Sequence, residues 1–113
     1  MAEEIVFAVP VLPGKEELDR QVMEELAGSR REEYEASLRD AGITRQAIWH
    51  EETPDGTLAI VYFEANDAEA PMRWTQSDSA VSQWFVEQMQ EVHGFDISQQ
   101  PPPPVSKVHD VRV

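Results

Sequence analysis

Residues 58–65, Leu-Ala-Ile-Val-Tyr-Phe-Glu-Ala, constrain the fold of this chain more than any other segment. A stretch so rich in β-branched and aromatic residues reads as a strand. Leu58, Ile60 and Tyr62 then point to one side, and Ala59, Val61 and Phe63 to the other. A small antiparallel sheet normally turns one face to water and alternates apolar with polar. Neither face of this strand looks wet. A chain of 113 residues has helices enough to cover one face of a sheet. The other face is therefore expected to meet a second copy of the protein.

The length suits one domain, residues 1–113, with a modest core of its own. There is no cysteine, which excludes disulfides, thiolate metal centres and cysteine nucleophiles. Net charge is −13, from 22 acidic and 9 basic residues. Such a surface repels nucleic acid and anionic lipid, so neither is expected as a partner. The acidic side chains Glu16, Glu17, Asp19, Glu24 and Glu25 sit in a helix-like stretch, where they are expected to form a solvated face. The start, Met-Ala-Glu-Glu, has neither the basic nor the apolar region of a signal peptide, and no apolar run is long enough to span a bilayer. A cytoplasmic location is expected.

Along the chain, residues 5–12 read as a first strand, broken by Pro13-Gly14. Residues 15–40 are helical in composition, with Leu18, Val22 and Leu26 at helical spacing and Tyr34, Leu38 and Ala41 resuming the stripe. The polar Gly28-Ser29-Arg30-Arg31 between them predicts a kink or break, and Gly42 a C-cap. Residues 43–52 form a second strand. Thr53-Pro54-Asp55-Gly56 is a turn signal, and 58–65 returns antiparallel as a hairpin. Asp67 can cap a short helix ending near Arg73. Ser77, Asp78 or Ser79 can cap another that carries Val81, Trp84, Phe85, Met89 and Val92 and ends at Gly94. Residues 98–104 include four successive prolines and read as a loop. Residues 105–113 alternate and predict a fourth, terminal strand. The order β-α-β-β-α-β is an α+β, ferredoxin-like arrangement, with both helices on one face of an antiparallel sheet.

This order resembles the dimeric α/β barrel superfamily. So does the first strand–helix junction, Val11-Leu12-Pro13-Gly14-Lys15-Glu16-Glu17-Leu18. Asn66-Asp67-Ala68-Glu69-Ala70 and Trp74-Thr75-Gln76-Ser77-Asp78-Ser79 look like that superfamily's second helical region. Its small members without an assigned activity are the nearest, with antibiotic-biosynthesis monooxygenases, haem-degrading monooxygenases and sugar mutarotases further off. The resemblance implies a homodimer joined through its sheets and a pocket between sheet and helices. Trp74 ahead of Ser77-Asp78 is similar to the haem-degrading branch. That branch also has an axial histidine where Trp84 stands and an asparagine where Phe7 stands, so haem degradation is disfavoured. In the antibiotic-type enzymes a histidine takes the place of Trp74, and that carry-over fails too.

His50 and Tyr62 are the most chemical pair in the chain. With Gly56 as a bulge, the hairpin sets His50 near Ile60 and Tyr62 near Ile48, diagonal neighbours on one face. A histidine beside a phenol can act as a general acid–base pair on a carbonyl or phenolic substrate. A slip of one residue moves them to other partners. The alternative is a half-buried histidine and a tyrosine with its hydroxyl at the sheet edge. Tyr34, Trp74, Phe7 and Trp84 are candidates to line an apolar pocket, with Trp74 at its rim. Core packing or a dimer interface would use such aromatics equally, Trp49 and Trp84 most of all. Arg30, at the helix break, can hold a substrate carboxylate or pair with Glu32, Glu33 or Glu35. His93 and His109 have no metal-ligand spacing, and His93 suits a helix C-terminus. No metal and no cofactor are expected.

Two functions are compatible with these residues. One is a cofactor-independent monooxygenase, cyclase or isomerase acting on an aromatic or polyketide-like metabolite. The other is a non-catalytic ligand-binding or assembly module whose aromatics are structural.

Overall fold

The computed structural model describes residues 2–113. It is an α+β fold in the order β1 (Glu3–Pro10), α1 (Glu16–Ala27), α2 (Arg31–Ala41), β2 (Ile43–Thr53), β3 (Gly56–Ala65), α3 (Ala70–Thr75) and α4 (Ala80–His93). The three strands make one antiparallel sheet with β3 in the middle, in the order β1-β3-β2.

The alternation along β3 decides which face is which. Ala59, Phe63 and Ala65 are buried, and so are their neighbours Ile5 and Val9 on β1. Ile5, Ala59, Phe63 and Ala65 join Val22 and Leu26 of α1, Leu38 and Ala41 of α2, Trp74 of α3, and Val81, Phe85, Met89 and Val92 of α4 in one core cluster. All four helices thus cover the same face of the sheet. Burying each of the larger side chains contributes about 1.5–3 kcal/mol. The opposite face is formed by Val6, Ala8, Ala47, Trp49, Leu58, Ile60 and Tyr62, away from the helices. Trp49 is 54% exposed there.

The break between α1 and α2 falls at residues 28–30, where the polar sequence predicted it. Gly42 ends α2 at φ +85°, a left-handed conformation that lets its N–H reach the last-turn carbonyls. A Cβ there would stand 3.2 Å from Asn66 Nδ2. Helix α4 is capped by Ser79, whose Oγ accepts from the N–H of Ser82. Asp67 does not cap α3 directly. Its Oδ1 accepts from Glu69 N at 3.0 Å, and its Oδ2 from Arg73 at 2.7 Å.

Two expectations are corrected. The fourth strand over residues 105–113 is not formed. That segment does pass beside the outer edge of β1, where Val105 N donates to Val6 O at 2.7 Å and Lys107 Nζ reaches Glu4 Oε1 at 2.7 Å. It makes no further ladder, and Val108, Val111 and Val113 are exposed. The four prolines just before it have no N–H groups and impose their own φ, so they add nothing to that single bond.

The hairpin register is the second correction. Gly56 is not an extra residue in the strand; it pairs directly with Thr53, at φ +123°. The irregularity lies at the far end, between Ile43 and Arg45. His50 therefore faces Ala59 rather than Ile60, and Tyr62 faces Ala47 rather than Ile48. A shift of one residue reverses the face of every side chain.

Candidate functional site

Because of that register, His50 shares the helix-covered face with Ala59 and Val9, while Tyr62 lies on the open face with Val6 and Ala47. The structure does not bring the two together. Tyr62 donates to Glu64 Oε2 at 2.7 Å and Glu4 Oε2 at 2.8 Å. The Glu64 carboxylate, partial burial and then Glu4 all hold its phenol well above the ordinary tyrosine range. Its ring meets Trp49 edge-on at 6.4 Å. Tyr62 belongs to an aromatic and acidic cluster on the outer sheet.

His50 has a different partner, and one the sequence concealed. Its Nε2 lies 2.6 Å from Oδ2 of Asp19 on α1. The His50 side chain is 15% exposed and that of Asp19 only 1%. Asp19 is thus not part of the solvated acidic face. It falls at the i, i+3, i+7 spacing of Val22 and Leu26, the three buried residues of α1. That spacing was the available signal. The stripe of Leu18, Val22 and Leu26 does face the core, but Asp19 shares that side and does not belong with its acidic neighbours in water.

Asp19 lines an apolar cavity of about 90 Å³ between the sheet and the helices. Phe7, Val9, Ile48, Val61 and Phe63 form its floor. Met23 of α1, Trp74 of α3 and Phe85 and Met89 of α4 form its walls, and Pro101 and Pro102 lie at its margin. Polar side chains are few: Asp19, Gln46, Thr75 and His93. The cross-strand row Val9–Ala59–His50 marks one end, and Ile5–Phe63–Gln46 the other. Four residues of β2 separate these rows, about 13 Å.

At the first end, His93 Nδ1 stands 2.8 Å from Pro10 O. A carbonyl only accepts, so Nδ1 carries the hydrogen. His93 is 9% exposed and was expected merely to complement the end of α4. Its sequence position offers no hint of the Pro10 carbonyl, 83 residues away. At the other end, Tyr34 donates to Gln46 Oε1. Burial, followed by Glu35, pushes the Tyr34 phenol up to about 12.

The other expected pocket residues divide. Phe7 and Trp74 line the cavity, but Trp74 is fully buried in its wall rather than at its rim. Its indole Nε1 donates to Ser37 Oγ at 2.8 Å, and its ring packs on Phe85 at 4.9 Å and Tyr34 at 6.0 Å. Tyr34 thus supports the cavity from behind Trp74 and Gln46. Trp84 and Arg30 stand away from it. The Arg30 guanidinium stacks on the Trp84 ring at 4.1 Å and pairs with Glu25 at 2.6 Å and Glu33 at 3.1 Å, which leaves no free fork for a substrate carboxylate. His109 lies exposed in the terminal segment. Among the described residues no three His, Asp or Glu side chains converge as metal ligands, and no helix is long and apolar enough to cross a membrane.

Among curated proteins none matches this chain. A family model does: it spans residues 3–110, almost the whole chain, and the protein accordingly belongs to DUF6176, a family of unknown function.

Proposed function

We propose that the protein binds a small apolar or aromatic metabolite between sheet and helices and acts on it by acid–base chemistry without a cofactor, as an oxygenase, cyclase or isomerase does. One observation carries this reading: a buried Asp19–His50 pair in the wall of an otherwise apolar cavity. Stability alone does not call for such a pair, since apolar residues of similar volume usually stabilise a core as well or better. A concave apolar site with a few convergent polar groups is what small-molecule binding needs. Asp19 and His93 face the bound molecule, and His50 orients the Asp19 carboxyl. His50 Nδ1 has no protein partner and is not sealed from water, so the pair is linked to solvent.

The same reading places the chain in a ferredoxin-like, dimeric α/β barrel architecture. The sheet order β1-β3-β2 and a terminal segment beside β1, where a fourth strand would lie, support it. The uncovered apolar face around Trp49, Ile60 and Tyr62 supports a homodimer through the sheets. A purely assembly role rests on that outer face alone and leaves the buried pair without a purpose.

Native mass spectrometry of the protein purified from its own host tests both parts. A dimer carrying an added small mass is expected, and Trp49→Lys should turn it into a monomer. A monomeric wild type overturns the sheet-face dimer. A dimer that stays bare in every host preparation overturns the bound metabolite.

A further inference from the structure

Asp19 Oδ1 is the one buried side-chain polar atom among the described residues that has no hydrogen-bond partner. Its sister oxygen is taken by His50 at 2.6 Å. Native proteins rarely leave such an acceptor open in an apolar wall, because an unmade bond there is costly. The surroundings offer no donor to close it. His93 has its Nδ1–H committed to Pro10 O. The Thr75 hydroxyl donates to Met72 O at 3.1 Å. The free amide hydrogens of Gln46 lie two cross-strand rows away, about 13 Å along the sheet. This end of the cavity therefore holds an unpaired acceptor inside apolar walls.

We infer that the Asp19 end of the cavity selects a neutral apolar molecule with an O–H or N–H donor, such as an enol, a phenol or a pyrrole-type N–H, and rejects anions and acceptor-only analogues. The inference deepens the ligand-binding reading above and rests on it. An anion would meet the Asp19 carboxyl in a medium that screens charge poorly. A ketone or ether would set a further acceptor against Asp19 Oδ1. Size narrows the class further. A cavity of about 150 Å³ takes benzene, so the present 90 Å³ accepts the donor-bearing edge of a small ring. Met23, one helical turn beyond Asp19, and Met89 are the adaptable side chains that yield to the rest.

Pyrrole and furan form a matched pair of probes, alike in shape, the first donating and the second only accepting. Binding is followed in the dimeric wild-type protein through the indole N–H resonance of Trp74, with that of Trp49 on the outer sheet as control. Pyrrole is expected to move Trp74 at concentrations about tenfold or more below furan, the size of effect a hydrogen bond to a charged group gives. Acetate should not move it at all. In Asp19→Leu the preference for pyrrole should vanish while furan still binds. Equal binding of pyrrole and furan to the wild type, or binding of acetate, overturns the donor inference and leaves the cavity reading standing. If neither ring moves Trp74, the cavity reading falls as well. Should Asp19→Leu fail to fold, the wild-type comparison still decides.

Discussion

Removing His50 should damage the fold more than removing Asp19, although His50 is the larger side chain. In His50→Leu, Oδ2 of a carboxyl that is 1% exposed loses its only protein partner and joins Oδ1, which already has none. Breaking a buried pair in this way costs about 3–5 kcal/mol. In Asp19→Leu, by contrast, the stranded histidine is 15% exposed and already touches water through Nδ1, so it rehydrates at a cost of about 1 kcal/mol. The double replacement Asp19→Leu/His50→Leu leaves no orphan at all. It should return to within about 1–2 kcal/mol of the wild type, since apolar isosteres commonly match a buried pair. The double variant is thus expected to be more stable than His50→Leu alone. For a chain of 113 residues each 1 kcal/mol moves Tm by about 4 °C, so the His50→Leu loss is about 12–20 °C. Urea unfolding of the four proteins at neutral pH and one fixed protein concentration closes the cycle. Fixing the concentration removes any contribution from dimer dissociation. A His50→Leu variant within 1 kcal/mol of the wild type, or a double variant no better than His50→Leu, would refute the reasoning.

Two further outcomes follow from the same geometry. The only two tyrosines, Tyr34 and Tyr62, both titrate above their ordinary value near 10 in the folded chain, Tyr34 at about 12. The stability they contribute is complete below the unfolded value and is lost as pH rises through the folded ones. Absorbance titration should therefore show almost no tyrosinate at pH 10 in the native protein and a rise at that pH once urea unfolds it. Trp74→Phe loses both ring volume and the bond to Ser37 Oγ at 2.8 Å, for about 2–3 kcal/mol in denaturant unfolding, whereas Trp84→Phe, at a half-buried ring, should lose less than half as much.

The sequence revealed its elements better than their alignment. The helix break at residues 28–30, the caps at Gly42 and Ser79 and the two-sided apolar strand all follow from local chemistry that needs no distant partner. What failed depended on one-residue offsets. Treating Gly56 as an extra residue shifted β2 by one position and put His50 and Tyr62 on a common face. Grouping Asp19 with Glu16, Glu17, Glu24 and Glu25 placed the buried carboxyl in water, although Leu18, Val22 and Leu26 were correctly set against the core. The two errors compounded, because the true partner of His50 was assigned to solvent while a false one was assigned to the sheet. His93 lay beyond local reading altogether, since its role is set by the Pro10 carbonyl brought in from β1. The alternation of residues 105–113 suited a strand, yet alternation says nothing of whether donors precede it, and four prolines do.

That last segment leaves the protein with an unusual margin. Beyond Val105, the outer rim of β1 presents backbone N–H and C=O groups that no neighbouring strand takes up. Such a rim templates the addition of further chains, the first step toward fibrils. The Lys107 ammonium, clamped to Glu4 at 2.7 Å and Asp110 at 2.8 Å, stands across this approach as a bulky, hydrated obstacle. A charged lysine at that rim disfavours pairing with a further chain, without the ladder that a full strand would make.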